Sequence, residues 1–573
     1  MEGESLPPLF NFKSIMQQEK NTTAEFDPLD MNNYKIEKLP KMKKSTFERW
    51  MARIGGPLAI LAFVLVYWVV DIPFIDKLNE SDFVPEQIVT VADDGTVVTE
   101  TAPPAENLKK AVNFIEKNGF EEFIRANYAM LALFIAAIIL WITEAIPNYL
   151  TALLVILGLV LTEVTSQKEA FAQLGHPVMW LNILSFVLAS MLVKTRAAKR
   201  LALWFVIKFG HSARGVFFSF LIINVVLSAF ISATTVKAAI LLPIFMVVAA
   251  VYGASNGNRN NFGRNIVLQN LFQINIGASG FLTGSGANLL AASLIGGALG
   301  ITSISYTDWF AAAFPMCMLL LIIGWWVGTK LIFPIPVEQR KPQIEGGLVK
   351  LRSELEGMGK MNFEEWKSIA IFVGVLVLWA TDKVHGIDAT TVAFIGAVIA
   401  LLPGIGVVKW NDVDIPWHLM LFSAGAYAIG AGLDATALPK SMVDVMFNSF
   451  GVDANTPFWV LYLLLTAMML FSALLFQSKT MRALIFVPIA IGVAQKFGYP
   501  IMSLAFPVAL LIEHVYVLPF NSKPAALLYT TNHYSWSDTF KYGITMMLIG
   551  WVMIILWGET VLRWLGYTEG LFF

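Results

Sequence analysis

One cysteine in 573 residues leaves no partner for a disulfide within the chain, so Cys317, set in an apolar run, reads as a small buried hydrophobe. Charge is also scarce, at 14% of residues with a net of −1, and with no basic stripe outside short clusters neither nucleic acid nor an acidic partner is indicated. The six histidines show no metal-ligand spacing. His-Glu-x-x-His, Gly-x-Ser-x-Gly and the Walker phosphate loop are all missing, which argues against a membrane enzyme and a primary pump. The polar first fifty residues contain no apolar core, so no cleaved leader is expected.

What is abundant is hydrophobicity: 57% of residues, with 17 Trp and 42 Phe, at a mean hydropathy of +0.65. Soluble domains rarely have this balance. Runs such as GPLAILAFVLVYWVV from Gly56 and MMLIGWVMIILWG from Met546 approach the ~20 apolar residues that cross a bilayer core. The expected fold is therefore an all-α polytopic membrane protein. Lys41, Lys43, Lys44, Arg49 and Arg53 before the first span place the N-terminus in the cytoplasm by the positive-inside rule. Lys194, Arg196, Lys199 and Arg200 then fall inside as well, as do Arg340, Lys341, Lys350, Arg352 and Lys360.

Two stretches repeat: ATTVKAAILLPI at 233 to 244 and SKTMRALIFVPI at 478 to 489. Each sets a Ser/Thr cluster and one cation, Lys237 or Arg482, ahead of a Pro-Ile pair. A cation at membrane depth is expensive and marks a pathway or binding site by default. After each comes a helix-breaking stretch, NIGASGFLTGSGANLLAA at 275 to 292 and VLPFNSKPAALLY at 517 to 529. Glycines such as Gly277, Gly280, Gly284 and Gly286 free the backbone there, while Pro519 and Pro524 remove amide donors. Glycine alone also serves close helix packing, but unwound backbone at this depth is tolerated only against protein or a wet cavity.

The expected order is a cytoplasmic segment (1–52), a first span with an external loop (53–126) and a first repeat (127–335) with a hairpin at 215–251 and a broken helix at 266–300. A cytoplasmic linker (336–366) leads to a second repeat (367–573) with a hairpin at 456–492 and a broken helix at 501–530. The loop contains the turn-like ADDGT and TAPPAEN and an amphipathic helix near 107–117. The first repeat starts outside and the second inside, giving about eleven transmembrane helices plus two re-entrant hairpins in inverted-topology repeats, a construction of secondary transporters. The C-terminus then lies outside.

With TEAIPNYLTALL (143–154), LSFVLASMLVKTRAAKRLAL (184–203), TGSGAN (283–288), DIPWHLMLFSAGAYAIGAGLDATAL (414–438) and the two hairpin clusters, the chain from about residue 127 onward resembles the divalent anion:sodium symporters. That resemblance implies a homodimer that carries dicarboxylates, citrate or sulfate. It also implies a Ser-Asn-Thr signature at each hairpin tip, where sodium and substrate carboxylates meet. Counting ten residues back from Pro243 and Pro488 sets Ala233-Thr234-Thr235 and Ser478-Lys479-Thr480 on that signature, and neither keeps the Asn. In the facing loop Ala525 stands where the family pattern has another Asn. Some exchangers of the family carry Arg at the positions of Lys237 and Arg482, which favours exchange of one anion for another.

An ammonium at Lys479 and a sodium ion a few ångström away would repel by about 4 kcal/mol at an effective dielectric of about 20, so the second tip is expected to use its own cation. The first tip still offers oxygens from Thr234, Thr235, Ser285 and Asn288, with the backbone of Gly284, so one sodium site stays open there despite Lys237. No other cofactor is expected. Arg482 is expected to grip a carboxylate through two parallel hydrogen bonds, with Lys479 as a point charge and Lys523 adding a further cation. Ser478, Thr480, Asn521 and Ser522 complete the candidate substrate contacts. Glu513 and His514 form either a proton relay or, for Glu513, the counter-ion of Lys479 or Lys523. The resulting expectation is a plasma-membrane secondary transporter for small di- or tricarboxylates that exchanges anions or does not strictly need sodium. Sodium- or proton-coupled symport of such anions or of sulfate-like dianions is the alternative, and an anion-sensing receptor the lesser one.

Overall fold

An apolar run in hydrocarbon has no water to satisfy its amides and must close its hydrogen bonds within itself, which selects helix. The computed structural model describes residues 27–34, 46–83, 87–91, 97–101, 109–254, 259–344, 347–438, 456–476, 478–519 and 521–572. Lys41, Lys43, Lys44, most of ADDGT and TAPPAEN, and parts of the expected hairpin tip and linker lie outside these residues. The described chain is helical except for one antiparallel ribbon, Gln87–Val91 against Val97–Thr101, in what had read as plain loop. Seven helices among the described residues are long and apolar enough to cross a membrane, and six shorter apolar helices accompany them.

The first repeat runs through Phe120–Thr143, Asn148–Leu161 and Pro177–Lys194 to a hairpin, Ala213–Phe230 and Thr234–Val251, then to a broken helix, Asn261–Ser279 and Gly286–Ala298, and to Tyr306–Trp326. The second runs through Phe363–Ala380, Ala389–Leu401 and Trp417–Asp434 to a hairpin, Phe458–Phe471 and Lys479–Phe497, a broken helix, Ile501–Leu510 and Lys523–Tyr529, and Trp536–Glu559. Several helices start a turn earlier than hydropathy alone indicates, because polar caps extend them. Asn362 and Ser535 each close a capping box with Glu365 and Asp538, donors and acceptors that hydropathy does not register. The basic run after Lys194 is itself an amphipathic helix, Ala197–Phe209, rather than an open loop.

The repeats exchange partners. Asn148–Leu161 packs on Trp417–Asp434, and Ala389–Leu401 packs on Pro177–Lys194. Likewise the second arm of each hairpin packs on the short half-helix of the other repeat, Thr234–Val251 on Lys523–Tyr529 and Lys479–Phe497 on Gly286–Ala298. Reciprocal pairing of this kind is what two copies of one helix order related by a two-fold axis produce. It sets the second arm of each hairpin beside the half-helix that follows the break in the opposite repeat.

The two breaks differ in length. The first covers residues 280–285 and includes a short 3-10 turn, Leu282–Gly284. The second opens at Leu511, after the proline-containing helix Ile501–Leu510, and closes at Ser522. Glu513 and His514 therefore lie inside the unwound segment and not, as the sequence suggested, in the helix before it.

Candidate functional site

Both hairpin cations are fully buried, and both turn back into their own repeat. Lys237 Nζ donates to Ser228 Oγ at 2.8 Å and to the Ile274 carbonyl at 3.2 Å. Arg482 Nε donates to Ser472 Oγ at 2.9 Å, Nη1 to the Ile512 carbonyl at 3.0 Å and Nη2 to the Met469 carbonyl. The two arrangements correspond part for part: a cation on the second arm, a serine on the first arm and a carbonyl from the broken helix. Ile512 lies beyond the last helical residue, Leu510, so its carbonyl has no partner in that helix and the guanidinium supplies one. The expected carboxylate fork at Arg482 is not what the structure places there, because its donors already face protein oxygens.

The polar centre lies instead at the second tip. Lys479 Nζ meets Glu513 Oε2 at 2.5 Å and donates to Asn275 Oδ1 at 3.3 Å. Glu513 Oε1 accepts from Ser285 Oγ at 2.5 Å. Glu513 is fully buried, whereas the Lys479 side chain is 14% exposed. Thus the second tip, the second break and the first break meet at one carboxylate. An isolated carboxylate in this environment would be strongly disfavoured, and the ammonium and hydroxyl supply the compensation.

Around the first tip the candidate oxygens remain less committed. Asn288 Nδ2 donates to the Ala278 and Phe281 carbonyls, each at 3.0 Å, and its Oδ1 is buried with no hydrogen-bond partner among the described residues. Ser232 Oγ is in the same condition. Thr234 is buried and Thr235 half-buried in the first helical turn, where Ala233 supplies no side-chain cap. Gly284 is required by space, since a Cβ there would sit 2.2 Å from the Ala278 carbonyl oxygen. Ser285 caps its half-helix by accepting from Asn288 N at 3.3 Å.

In the second repeat Ser522 makes the same cap with Ala525 N at 3.3 Å. Asn521 is engaged locally, donating to the Ala473 carbonyl and accepting from Leu518 N. Ser478 caps its helix through Met481 N at 3.2 Å, and Ser478 and Thr480 are both half-buried. Lys523 is exposed and has no hydrogen-bond or ion-pair partner among the described residues, so Glu513 faces Lys479 and not Lys523. His514 Nδ1 pairs with the Tyr516 hydroxyl at 2.7 Å, and no hydrogen bond among the described residues joins it to Glu513. A Glu513–His514 relay is thus not assembled. Cys317 is a free, buried thiol.

Sequence reasoning missed Asn275, Ser228 and Ser472. The serines were detectable, since each precedes its cation by nine or ten residues in the same arm of the repeat. It also missed the buried amides of Asn261–Ser279, where Asn224 Nδ2 reaches both Asn270 Oδ1 and Gln273 Oε1 at 3.0 Å. Polar side chains at such depth are retained for packing through hydrogen bonds or for function.

Paired hairpin tips facing paired helix breaks within an apolar helical body define a multi-pass membrane transporter rather than an enzyme. Residues 122–568 match the model of the sodium:sulfate symporter transmembrane region, and the chain belongs to this divalent anion:sodium symporter family. A Cupriavidus necator protein described only as a membrane protein is 26% identical over 77% of this chain and 88% of its own length. The sodium-dependent dicarboxylate transporter SdcS of Staphylococcus saprophyticus is 25% identical over 73% of this chain and 82% of its own. The putative malate transporter YflS of Bacillus subtilis is 30% identical over 50% of this chain and 58% of its own. The YdaH transporter of Alcanivorax borkumensis, a solved structure, aligns over 90% of this chain and 98% of its own at 12% identity with a TM-score of 0.47.

Proposed function

We propose that the protein carries small divalent organic anions, di- or tricarboxylates, across the plasma membrane by alternating access, with exchange of one anion for another and no sodium ion at the second tip. The observation that supports this most is the placement of the Lys479 ammonium at that tip, paired with Glu513 and Asn275. A fixed cation there does what a dissolved one does in a symporter, and it also disfavours a second cation beside it. The half-buried Ser478, Thr480 and Thr235, with the exposed Lys523, supply hydroxyl donors and a free positive charge for a dianion. In this reading the N-terminus is cytoplasmic, the C-terminus external, and the working unit a homodimer whose scaffold helices flank a moving domain bearing both hairpins.

A second reading keeps one sodium ion at the first tip. It is favoured by the unpartnered Asn288 Oδ1 and Ser232 Oγ, two acceptors without donors, and by the sodium dependence in the name of SdcS. The test is uptake of labelled succinate, citrate or sulfate into proteoliposomes with or without internal unlabelled anion, sodium and a pH gradient. Uptake driven by internal anion alone supports exchange. A steep dependence on external sodium, with a Hill coefficient above one, removes the proposal that Lys479 stands in for an ion.

A further inference from the structure

We infer that Glu513 is an internal stand-in for the substrate carboxylate, occupying Lys479 whenever the carrier is empty and thereby allowing the empty site to cross the membrane. The inference rests on the proposed transport of dianions and adds to it that exchange is not obligatory.

The geometry carries it in three steps. First, Lys479 is the tip cation with partial exposure, and its ammonium is held by a carboxylate at 2.5 Å that is itself fully buried and anchored by Ser285. The anion is therefore built into the buried wall, while the cation stands at the partly exposed tip. Second, the ion pair cancels the charge of Lys479 when no substrate is bound, leaving only the latched Lys237 and Arg482, which hold the same neutral oxygens whether or not substrate is present. Net charge in a low-dielectric environment is what makes translocation of an unloaded site costly, and compensation removes that cost. Third, Ile274 and Ile512 accept from the equivalent cations Lys237 and Arg482, so the residues that follow, Asn275 and Glu513, are themselves equivalents. Lys479 contacts both. One side of a symmetric pair carries the charge and the other only an amide, so the ammonium always has a second acceptor to lean on when an incoming carboxylate displaces Glu513. Because Glu513 is tethered beside Lys479, it competes with the substrate intramolecularly and weakens its apparent affinity.

The test compares two modes in the same vesicles, efflux of labelled succinate into anion-free medium and efflux into saturating unlabelled succinate, so that differences in insertion cancel in the ratio. The wild type is expected to show measurable efflux into anion-free medium. In Glu513→Gln the ratio of unpaired efflux to exchange is expected to fall about tenfold or more, with a lower KM for succinate. Adding Asn275→Asp to that variant returns the carboxylate to the equivalent position and is expected to restore the ratio. If Glu513→Gln does not insert, Asn275→Asp alone, which places a second carboxylate on Lys479, is expected to raise the KM about tenfold. An unchanged ratio in Glu513→Gln, equal loss of both modes, failure of Asn275→Asp to restore the ratio, or an unchanged KM in Asn275→Asp alone overturns the inference. A wild type that moves no anion in either mode sinks the transport reading itself, which is a separate outcome.

Discussion

The first repeat holds Lys237 with one hydroxyl and one carbonyl, whereas the second holds Arg482 with one hydroxyl and two carbonyls. The extra carbonyl is that of Met469 in the first hairpin arm, while each cation takes one carbonyl from its own broken helix, Ile274 inside Asn261–Ser279 and Ile512 beyond Leu510. Six residues separate the first pair of half-helices, and its interruption is partly closed by a 3-10 turn. The second break leaves residues 511–522 outside regular helix and so presents more unpaired backbone. Lysine supplies a point donor to two acceptors and arginine a planar fork that spans three, which is the physical distinction between them. The same asymmetry appears at the next residue, where Asn275 faces Glu513 across Lys479, and in the flanking half-helices, amide-rich in Asn261–Ser279 and apolar in Ile501–Leu510. The two-fold pattern thus sets positions, and each repeat then fills them with the chemistry its own break requires.

That comparison breaks most decisively at the ion pair. Lys479→Met leaves Glu513 buried without its cation, and a loss of about 3–5 kcal/mol of stability is expected in detergent thermal melts. Adding Glu513→Gln should recover most of it, and a double variant as unstable as the single would show that the pair is not the cause. Next, Arg482→Met strands the Ile512 carbonyl, which lies outside regular helix, at about 1–3 kcal/mol, whereas the Met469 carbonyl keeps Ser472 Oγ and the Ile274 carbonyl lies inside a helix, so Lys237→Met should cost less and the arginine variant should melt lower. Equal melting temperatures would contradict this difference between the two broken-helix carbonyls. Ser285→Ala removes one hydrogen bond to a carboxylate and should cost about 1.5–3 kcal/mol, with a higher succinate KM or a slower turnover revealing loosened positioning of Glu513. Lys523→Ala, at an exposed position, should leave the melt unchanged but raise the KM for dianions more than for monoanions; equal shifts would remove it from the substrate site. Smallest of all, Lys110→Ala breaks an exposed pair with Asp434 at 2.9 Å and is expected to cost at most about 1 kcal/mol.

Much of the helix order was readable before any coordinates. The two Ser/Thr-cation-Pro clusters and the glycine-rich TGSGAN are local signals, and the helices Thr234–Val251, Lys479–Phe497 and Gly286–Ala298 begin within them. The second break was misread around Glu513 and His514, since an apolar run such as PVALLIEHVYVLP looks helical until its carbonyls find an arginine elsewhere. The ribbon at Gln87–Val91 and Val97–Thr101 also gave little warning in the sequence.

The roles of the cations were the least readable part. Arg482 reads as the substrate clamp and Lys479 as the second tip's own cation, and the structure turns Arg482 inward to protein oxygens while Lys479, at the tip, pairs with Glu513. Residues three apart share a helix face, so the difference lies in depth: Lys479 opens its helix at the tip, and Arg482, nearly one turn further in, reaches the Ile512 and Met469 carbonyls.

By itself the sequence determined that the chain must close its backbone hydrogen bonds as helices in lipid, that these helices fall into two related halves and that cations are held at membrane depth, since hydropathy and periodicity are properties of contiguous residues. Only the tertiary structure decided which cation is latched and which is presented, and that Glu513 and Lys479 from one repeat meet Ser285 and Asn275 of the other. Those choices depend on which carbonyl or carboxylate lies within hydrogen-bond reach after packing, and residues hundreds apart in the chain acquire that reach only when the two halves interlock.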